Sequence, residues 1–265
     1  MLAGYFQYEV IYGDWERNAE CVREAVSGLR GPGLLVLPEL AFTGYDFVDA
    51  ETARAAAEPF GQGRSFHLLR QLAESTDLTI FAGYPEISDG AVYNSAMCVE
   101  PSGAAHNYRK LHLFNREKTL FAPGNVPPRA FDTALGRIGM MVCFDWFFPE
   151  VARCLALDGA ALIAHPSNLV LPWCQRAMFA RSVENRVFTI TANRIGTETQ
   201  AGRSLTFTGG SQVMSPKGET LAQAPTDAAE ARLIPLDLAD AANKQLNEYN
   251  HLFDDRRREF FSTLG

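Results

Sequence analysis

The chain has 265 residues, 47% hydrophobic and 21% charged, a globular mix that excludes a disordered, collagen-like or disulfide-scaffold protein. Its 24 basic and 31 acidic residues leave a net charge of −7, so no general field draws it to nucleic acid or an anionic bilayer. Small solutes are the expected partners. Apolar runs such as Leu34–Leu37 fall far short of the roughly 20 residues that span a membrane, so no membrane helix is expected. The first residues carry Gln7, Glu9 and Asp14 and no basic leader, which sets a cytoplasmic location as the expectation. Cys21, Cys98, Cys143, Cys154 and Cys174 are odd in number and far apart, so free thiols are expected.

In chain order, an apolar run predicts a strand over Leu2–Tyr8, and a helical period follows over Asp14–Leu29. After the turn Gly31-Pro32-Gly33 come a strand at Leu34–Leu37, a helix at Arg64–Ser75 and a strand at Thr79–Tyr84. Val92–Val99 and Ala104–Arg109 form a hairpin across Pro101-Ser102-Gly103. Strands at Gly136–Val142, Ala161–His165 and Val187–Ala192 alternate with helices at Phe148–Asp158 and Trp173–Arg186. Gly210–Met214, the turn Ser215-Pro216-Lys217-Gly218, a strand at Arg232–Leu236 and a helix at Asp240–Glu248 complete the chain. Helices alternating with strands, with hairpins between, imply an α/β domain with mixed sheets covered by helices. No repeat, low-complexity tract or long linker divides it, so residues 1–265 are expected to form one domain.

Three segments could carry chemistry. Leu34–Leu37 is followed by Pro38, which cannot donate to a ladder, so pairing is expected to stop there and Glu39 to emerge from an apolar wall. Poor solvation there would raise its pKa toward that of a useful general base. Lys110 closes the strand Asn107-Tyr108-Arg109 and could stabilise an oxyanion as a point charge. Arg137–Glu150 reads as a strand, a tight turn at Cys143 and a helix with Pro149 in its first turn. That turn would present the thiol beside unpaired N–H groups and the positive end of a helix, both of which favour thiolate. Two bases compete for the Cys143 proton: Glu39, and His165, which a right-handed crossover would bring close.

The five histidines show no H-x-x-x-H or H-E-x-x-H spacing, and there is neither a G-x-G-x-x-G nor a Walker loop, so no metal and no cofactor is expected.

Taken together, Leu37-Pro38-Glu39-Leu40, Tyr108-Arg109-Lys110-Leu111-His112-Leu113-Phe114 and Gly139-Met140-Met141-Val142-Cys143-Phe144-Asp145 resemble, in order and spacing, the nitrilase superfamily of carbon–nitrogen hydrolases. The resemblance implies a four-layer α-β-β-α sandwich with two mixed sheets, usually dimeric or larger. It implies Glu39 as general base, Lys110 as the oxyanion-stabilising or proton-donating lysine and Cys143 as nucleophile, with Glu117 as a second glutamate that positions substrate and lysine. Thr43-Gly44-Tyr45, Pro166-Ser167-Asn168 and Arg181–Arg186 match as well, the last as a structural segment without a catalytic role.

Cys143-Phe144-Asp145 looks more like amidases and carbamoyl-amine hydrolases than like the many nitrilases with Cys-Trp-Glu, so small aliphatic amides are the expected substrates. The segments Cys143–Glu150 and His165–Pro172, with the tail near Asp254-Asp255-Arg256-Arg257, also resemble a small thermophile-type branch that includes aliphatic nitrilases, which keeps small nitriles as the alternative, beside the N-carbamoyl amines. A catalytically idle binding subunit is the alternative from another class. The pocket is expected to be small and apolar, lined by Tyr45, Phe144, Trp146, Asn168 and Trp173, with Phe147 nearby; no arginine stands out as a partner for a substrate carboxylate, and Arg176 and Arg194 stay open for that role. The tail 249–265 brings Tyr249, Phe253, Phe260 and Phe261 to the surface unless it docks, and the resemblance implies docking across a homodimer.

Overall fold

The computed structural model describes residues 1–260. The chain runs β1 (Leu2–Gln7), α1 (Trp15–Ser27), β2 (Gly33–Val36), α2 (Ala50–Ala56), α3 (Arg64–Thr76), β3 (Leu78–Ser88), β4 (Ala91–Val99), β5 (Ala105–Arg109) and α4 (Glu117–Leu120). It continues through β6 (Phe131–Thr133), β7 (Gly136–Met140), a 3-10 turn at Cys143–Phe147, α5 (Pro149–Leu157), β8 (Leu162–Pro166), α6 (Cys174–Val183) and β9 (Phe188–Ala192). The hairpin β10 (Thr197–Gln200) and β11 (Arg203–Thr206) precedes β12 (Gln212–Met214), β13 (Thr220–Gln223) and β14 (Glu230–Pro235).

Two six-stranded sheets are built on one plan. The first has the order β14-β1-β2-β3-β4-β5 and the second β13-β12-β9-β8-β7-β6. In each, three parallel strands lie at the centre, β1-β2-β3 and β7-β8-β9, and antiparallel strands flank them. Central strands buried on both faces read as unbroken apolar runs, and alternate residues serve different layers. Leu34 and Val36 face the second sheet with Met140, Ala164 and Ile190, while Leu35 and Leu37 pack under α1 and α3 with Val22, Val26 and Leu69. Helices α5 and α6 cover the far side of the second sheet through Leu155 and Met178. The result is the expected α-β-β-α sandwich. Each fully buried leucine or valine stabilises it by about 1.5–3 kcal/mol.

Helix α1 shows the logic of one covering element. Asp14 caps it by accepting from the Arg17 N–H at 3.1 Å, and Trp15, Ala19, Val22 and Val26 recur on its buried stripe. The helix expected at Asp240–Glu248 is not formed; a 3-10 turn at Leu238–Ala241 and a bridge between Gln245 and His251 take its place. Only Ala241 of that stretch is buried and Leu246 is 52% exposed, so no apolar stripe holds a helix down.

The tail divides. Phe253 docks on its own subunit beneath Arg153 of α5 and Lys244, whereas Tyr249 is 80% and Phe260 66% exposed. Phe261 and the rest of 249–265 beyond it lie outside the described residues. Among the described residues no helix is long and apolar enough to cross a membrane.

Candidate active site

Glu39 follows β2, but pairing does not stop at Pro38. The Pro38 carbonyl accepts from the Gly83 N–H at 3.0 Å and the Ala41 N–H donates to Gly83 at 2.9 Å, so the missing proline donor costs the ladder nothing at that point. This carries Glu39 past the strand end and into the interior, where it is fully buried. The fit depends on Gly83, because a Cβ there would lie 2.4 Å from the Glu39 Cα. Leu40 then turns the chain with φ of 49°, a left-handed conformation of the kind that gathers at functional sites.

Lys110 follows β5 and is likewise fully buried. Its Nζ donates to Glu39 Oε1 at 2.7 Å and to Glu117 Oε1 at 2.7 Å. Burial works against its charge, yet Glu117 and Glu39 together outweigh burial and hold the ammonium protonated, well above the ordinary lysine range. Asn94 Nδ2 donates to Glu39 Oε1 at 2.7 Å, and Tyr45 Oη donates to Glu117 Oε1 at 2.6 Å. The other oxygen of each carboxylate, Glu39 Oε2 and Glu117 Oε2, is buried without a partner among the described residues. Two acceptors are thus held ready inside the site. Burial raises the Glu117 pKa, opposed by Lys110 and aided by Glu39.

Cys143 begins the 3-10 turn with φ of 41° and is 6% exposed. Helix α5 starts only at Pro149, so the thiol does not sit at the end of an α-helix as the sequence suggested. Its pKa moves the other way: burial, then the charge of Glu39, push it well above the ordinary thiol range, with Lys110 pulling against them. The resting thiol is protonated and needs a base. Asp145 fastens the turn by accepting from the Val142 N–H at 3.0 Å, Tyr108 Oη at 2.7 Å and the His112 N–H at 3.1 Å. It points to this scaffold, which ties the turn to the segment bearing Lys110.

His165 does come close to Cys143, but to its backbone. Nε2 lies 2.9 Å from the Cys143 carbonyl and Nδ1 3.1 Å from Thr191 Oγ1. A nitrogen donating to that carbonyl is not a free base for the thiol, and burial lowers the His165 pKa to about 4. The competing base is therefore set aside, and His165 reads as a brace for the strained turn.

Two adjoining cavities open on these groups and share Phe114 and Val170. One is lined by Cys143, Phe144, Trp146 and Asn168; the other by Tyr45, Glu117, Leu120 and Leu205. Trp173 is not in either lining: it sits at the N-terminus of α6, 54% exposed, because the chain after Leu171 turns outward into the helix. Phe147 is 48% exposed, Arg176 is exposed, and Arg194 is fully buried in a pair with Glu198. Glu198 in turn accepts from the Tyr45 and Asp46 N–H groups, at 3.0 and 2.8 Å, and so fixes the loop that aims Tyr45. Gly44, with φ of 82°, allows that loop to pass Tyr12 and Glu198, where a Cβ would lie 2.8 and 2.9 Å away.

Sequence reasoning missed Asn94, Glu198 and the bracing role of His165. Asn94, a fully buried amide in the middle of β4, carried a signal of its own, since asparagine is depleted in strands. Among the described residues no group of three or more His, Cys, Asp or Glu side chains is placed to hold a metal ion.

A family model described as carbon-nitrogen hydrolase matches residues 3–244. A nitrilase of Pyrococcus abyssi is 43% identical over 94% of this chain and 92% of its own. A carbon-nitrogen hydrolase from Helicobacter pylori G27 superposes with a TM-score of 0.89 at 26% identity, covering 100% of this chain and 98% of that one. An amidase from Nesterenkonia sp. AN1, with acrylamide added at its active site cysteine, superposes with a TM-score of 0.79 at 26% identity over all of both chains.

Proposed function

The chain belongs to the carbon-nitrogen hydrolase family, and on that premise we propose that it hydrolyses small aliphatic amides to carboxylate and ammonia through a thioester on Cys143. The observation that carries this reading is the buried ammonium of Lys110 held between two carboxylates, each with one unpartnered oxygen, beside a protonated thiol.

Glu39 Oε2 takes the Cys143 proton as sulfur attacks the amide carbon. Charge gathering on the carbonyl oxygen is met by the third N–H of Lys110 and by the Phe144 backbone N–H, fixed donors in a dry site. Collapse of the tetrahedral adduct breaks the C–N bond, and Glu39 returns its proton to the departing ammonia. Water, deprotonated by Glu39, then attacks the thioester, the carboxylate leaves and the thiol regains a proton. Glu117 lines the cavity, its Oε2 would accept from the amide NH₂, and Tyr45 and Lys110 hold its other oxygen. An amide nitrogen can donate to that oxygen, and a nitrile nitrogen cannot.

The Pyrococcus relative named a nitrilase favours a second reading, in which a small nitrile passes through a thioimidate at the same cysteine. Ammonia release from amide and nitrile of one acyl chain decides between them: the amide is expected to react faster, and equal or faster nitrile turnover selects the second reading. No ammonia from either, with no adduct on Cys143, would leave an idle binding subunit.

The enzyme is read as a homodimer at least. Phe147, Trp173 and Phe179 are 48%, 54% and 52% exposed on the 3-10 turn and α6, apolar side chains that a second copy would cover. Arg181 of α6 donates to the Trp146 carbonyl at 3.1 Å, so such an interface would also steady the nucleophile turn. Five free cysteines fit a reducing compartment, and the cytoplasm is the location assigned on that ground.

A further inference from the structure

Four cations meet away from the catalytic cavities, where the last part of the chain lies against α5 and the connection from α6 to β9. Arg153 comes from α5, Arg186 from the connection, and Lys244 and Arg256 from the final segment, and all four residues are half-buried. Lys244 Nζ donates to the carbonyls of Asn185 and Arg186 at 3.0 and 2.7 Å, which leaves one of its three N–H groups unspent among the described residues. Phe253 gathers two of the cations: its ring centroid lies 5.3 Å from Lys244 Nζ and 5.5 Å from Arg153 Cζ. Arg153 Nη1 and Arg186 Nε are buried and have no hydrogen-bond partner among the described residues. The acids of the same elements do not restore the balance. Glu184 acts on Arg153 through its charge but is held by Arg181 at 3.0 Å. Asp254 turns to His251 at 2.9 Å, Asp255 accepts from Asn250 at 3.0 Å, and Asp158 meets Arg137 at 3.5 Å. Glu150 and Asp240 are exposed and, among the described residues, make no ion pair. With Arg181 included, five cations stand against Glu184. Burial, then the charges of Arg186 and Arg153, draw the Lys244 ammonium down to about 8. Burial also lowers the Arg153 pKa, with Glu184 opposing and Arg256 adding to the fall.

We propose that Arg153, Arg186, Lys244 and Arg256 bind a divalent oxyanion of the phosphate class at a site separate from the catalytic centre, which fastens the final segment to α5 and to the α6–β9 connection. A buried donor without a partner calls for a water or an ion. Water would satisfy the N–H groups and leave the repulsion among the cations, whereas an anion removes both. Guanidinium edges and an ammonium together suit a tetrahedral oxyanion, which can take several charge-assisted hydrogen bonds at once. Chloride offers no second oxygen to a guanidinium, and a single carboxylate cancels only one charge.

Calorimetric titration of the full chain with inorganic phosphate, sulfate and glycerol phosphate tests this, against sodium chloride and sodium acetate at equal ionic strength and with thermal melts alongside. The wild type should bind phosphate and sulfate saturably at one site per chain and melt at a higher temperature with them, and chloride and acetate should do neither. Arg153→Gln and Lys244→Gln should each weaken binding about tenfold or more, the loss of one charge-assisted hydrogen bond. Arg256→Gln, in the final segment, supplies the same comparison if either of those variants fails to fold. Sulfate keeps its charge between about pH 7 and 9, so its affinity should fall as Lys244 loses its proton near pH 8. Glycerol phosphate that binds as well as phosphate makes the ligand a phosphate monoester, and its exclusion makes it the free ion; both results support the site. A melting shift of equal size in the wild type and in Arg153→Gln is the general salting-out effect of these ions and overturns the proposal. Absence of binding to the wild type overturns it as well. If Arg153→Gln and Lys244→Gln then weaken self-association in sedimentation, the cluster belongs to a carboxylate of a second copy.

Discussion

Arg109 and Lys110 are neighbours in the chain, and each meets a buried carboxylate on the first sheet, yet the two sites are finished differently. Glu86 receives Arg109 through Nε and Nη2 at 3.0 and 2.6 Å, Ser95 Oγ at 2.6 Å and Asn107 Nδ2 at 2.9 Å. Both its oxygens are used; although burial pushes its pKa up, these hydrogen bonds, led by Arg109, overcome it and hold the carboxyl below the usual range. Glu39 and Glu117 share one ammonium and keep an oxygen each without a partner, and burial leaves the Glu117 pKa raised. A carboxylate that serves the fold is saturated. On the proposed mechanism, one that serves chemistry is left with an acceptor to use, at a cost in stability that the surrounding sandwich absorbs.

The largest expected effect falls on the unfinished side. Cys143→Ala should abolish turnover with the melting temperature held, because the proposed mechanism has no substitute nucleophile, and more than trace activity would remove Cys143 from the reaction. Glu39→Gln should lose about 10²–10⁴ in kcat while the fold persists, since the amide keeps the contacts to Lys110 and loses only the basic oxygen. Steady-state rates and thermal melts on the same preparations check both.

Glu86→Gln should do the reverse: kcat within a few fold, with stability lower by about 3 kcal/mol, because Arg109 is left without its charge partner. Denaturant titration reads the loss. The sign of its pH dependence follows from the lowered folded pKa. The contribution is present above the unfolded carboxylate pKa and disappears as pH falls through the folded one, so Glu86→Gln should flatten the acid limb of a stability profile.

His165 adds a smaller effect at milder acidity. Its pKa falls from 6.5 to about 4 on burial, so the unfolded chain takes the proton first, and stability is present above pH 6.5 and declines as pH falls toward 4. His165→Asn should remove that decline and keep far more activity than Glu39→Gln. A collapse of activity equal to that of Glu39→Gln would return His165 to the list of bases. Smallest of all, removal of residues 249–265 should weaken self-association, read by sedimentation across a concentration series, with a secondary loss of activity; a full-length chain that stays monomeric contradicts the dimer.

The contrast between the two sites also marks how far the sequence could be read. Strands such as Leu34–Leu37 and Ala161–His165 were legible because burial on both faces demands unbroken apolar runs, and Glu39 and Cys143 stand at the ends of such runs, whereas Lys110 follows the polar, half-buried edge strand β5. That Glu86 would be saturated and Glu39 would not was invisible, because it depends on partners such as Asn94 and Asn107 brought across the sheet by β4 and β5. Several elements went unread, some of them for local reasons. Helix α2 is short and announced only by its Asp49 and Thr52 capping box, α4 is a single turn, and the β10–β11 hairpin is polar on much of its surface although it delivers Arg203 and Leu205 to the cavity.

The central claim is that the free oxygen of Glu39 delivers the Cys143 sulfur to an amide carbon. Intact-mass and peptide mass spectrometry of wild-type protein quenched in acid during turnover of a short aliphatic amide tests it most directly. The account predicts an added acyl group on the Cys143 peptide, absent in Cys143→Ala and formed far more slowly in Glu39→Gln. Turnover with no adduct on Cys143, or an adduct that forms as fast in Glu39→Gln as in the wild type, would contradict it.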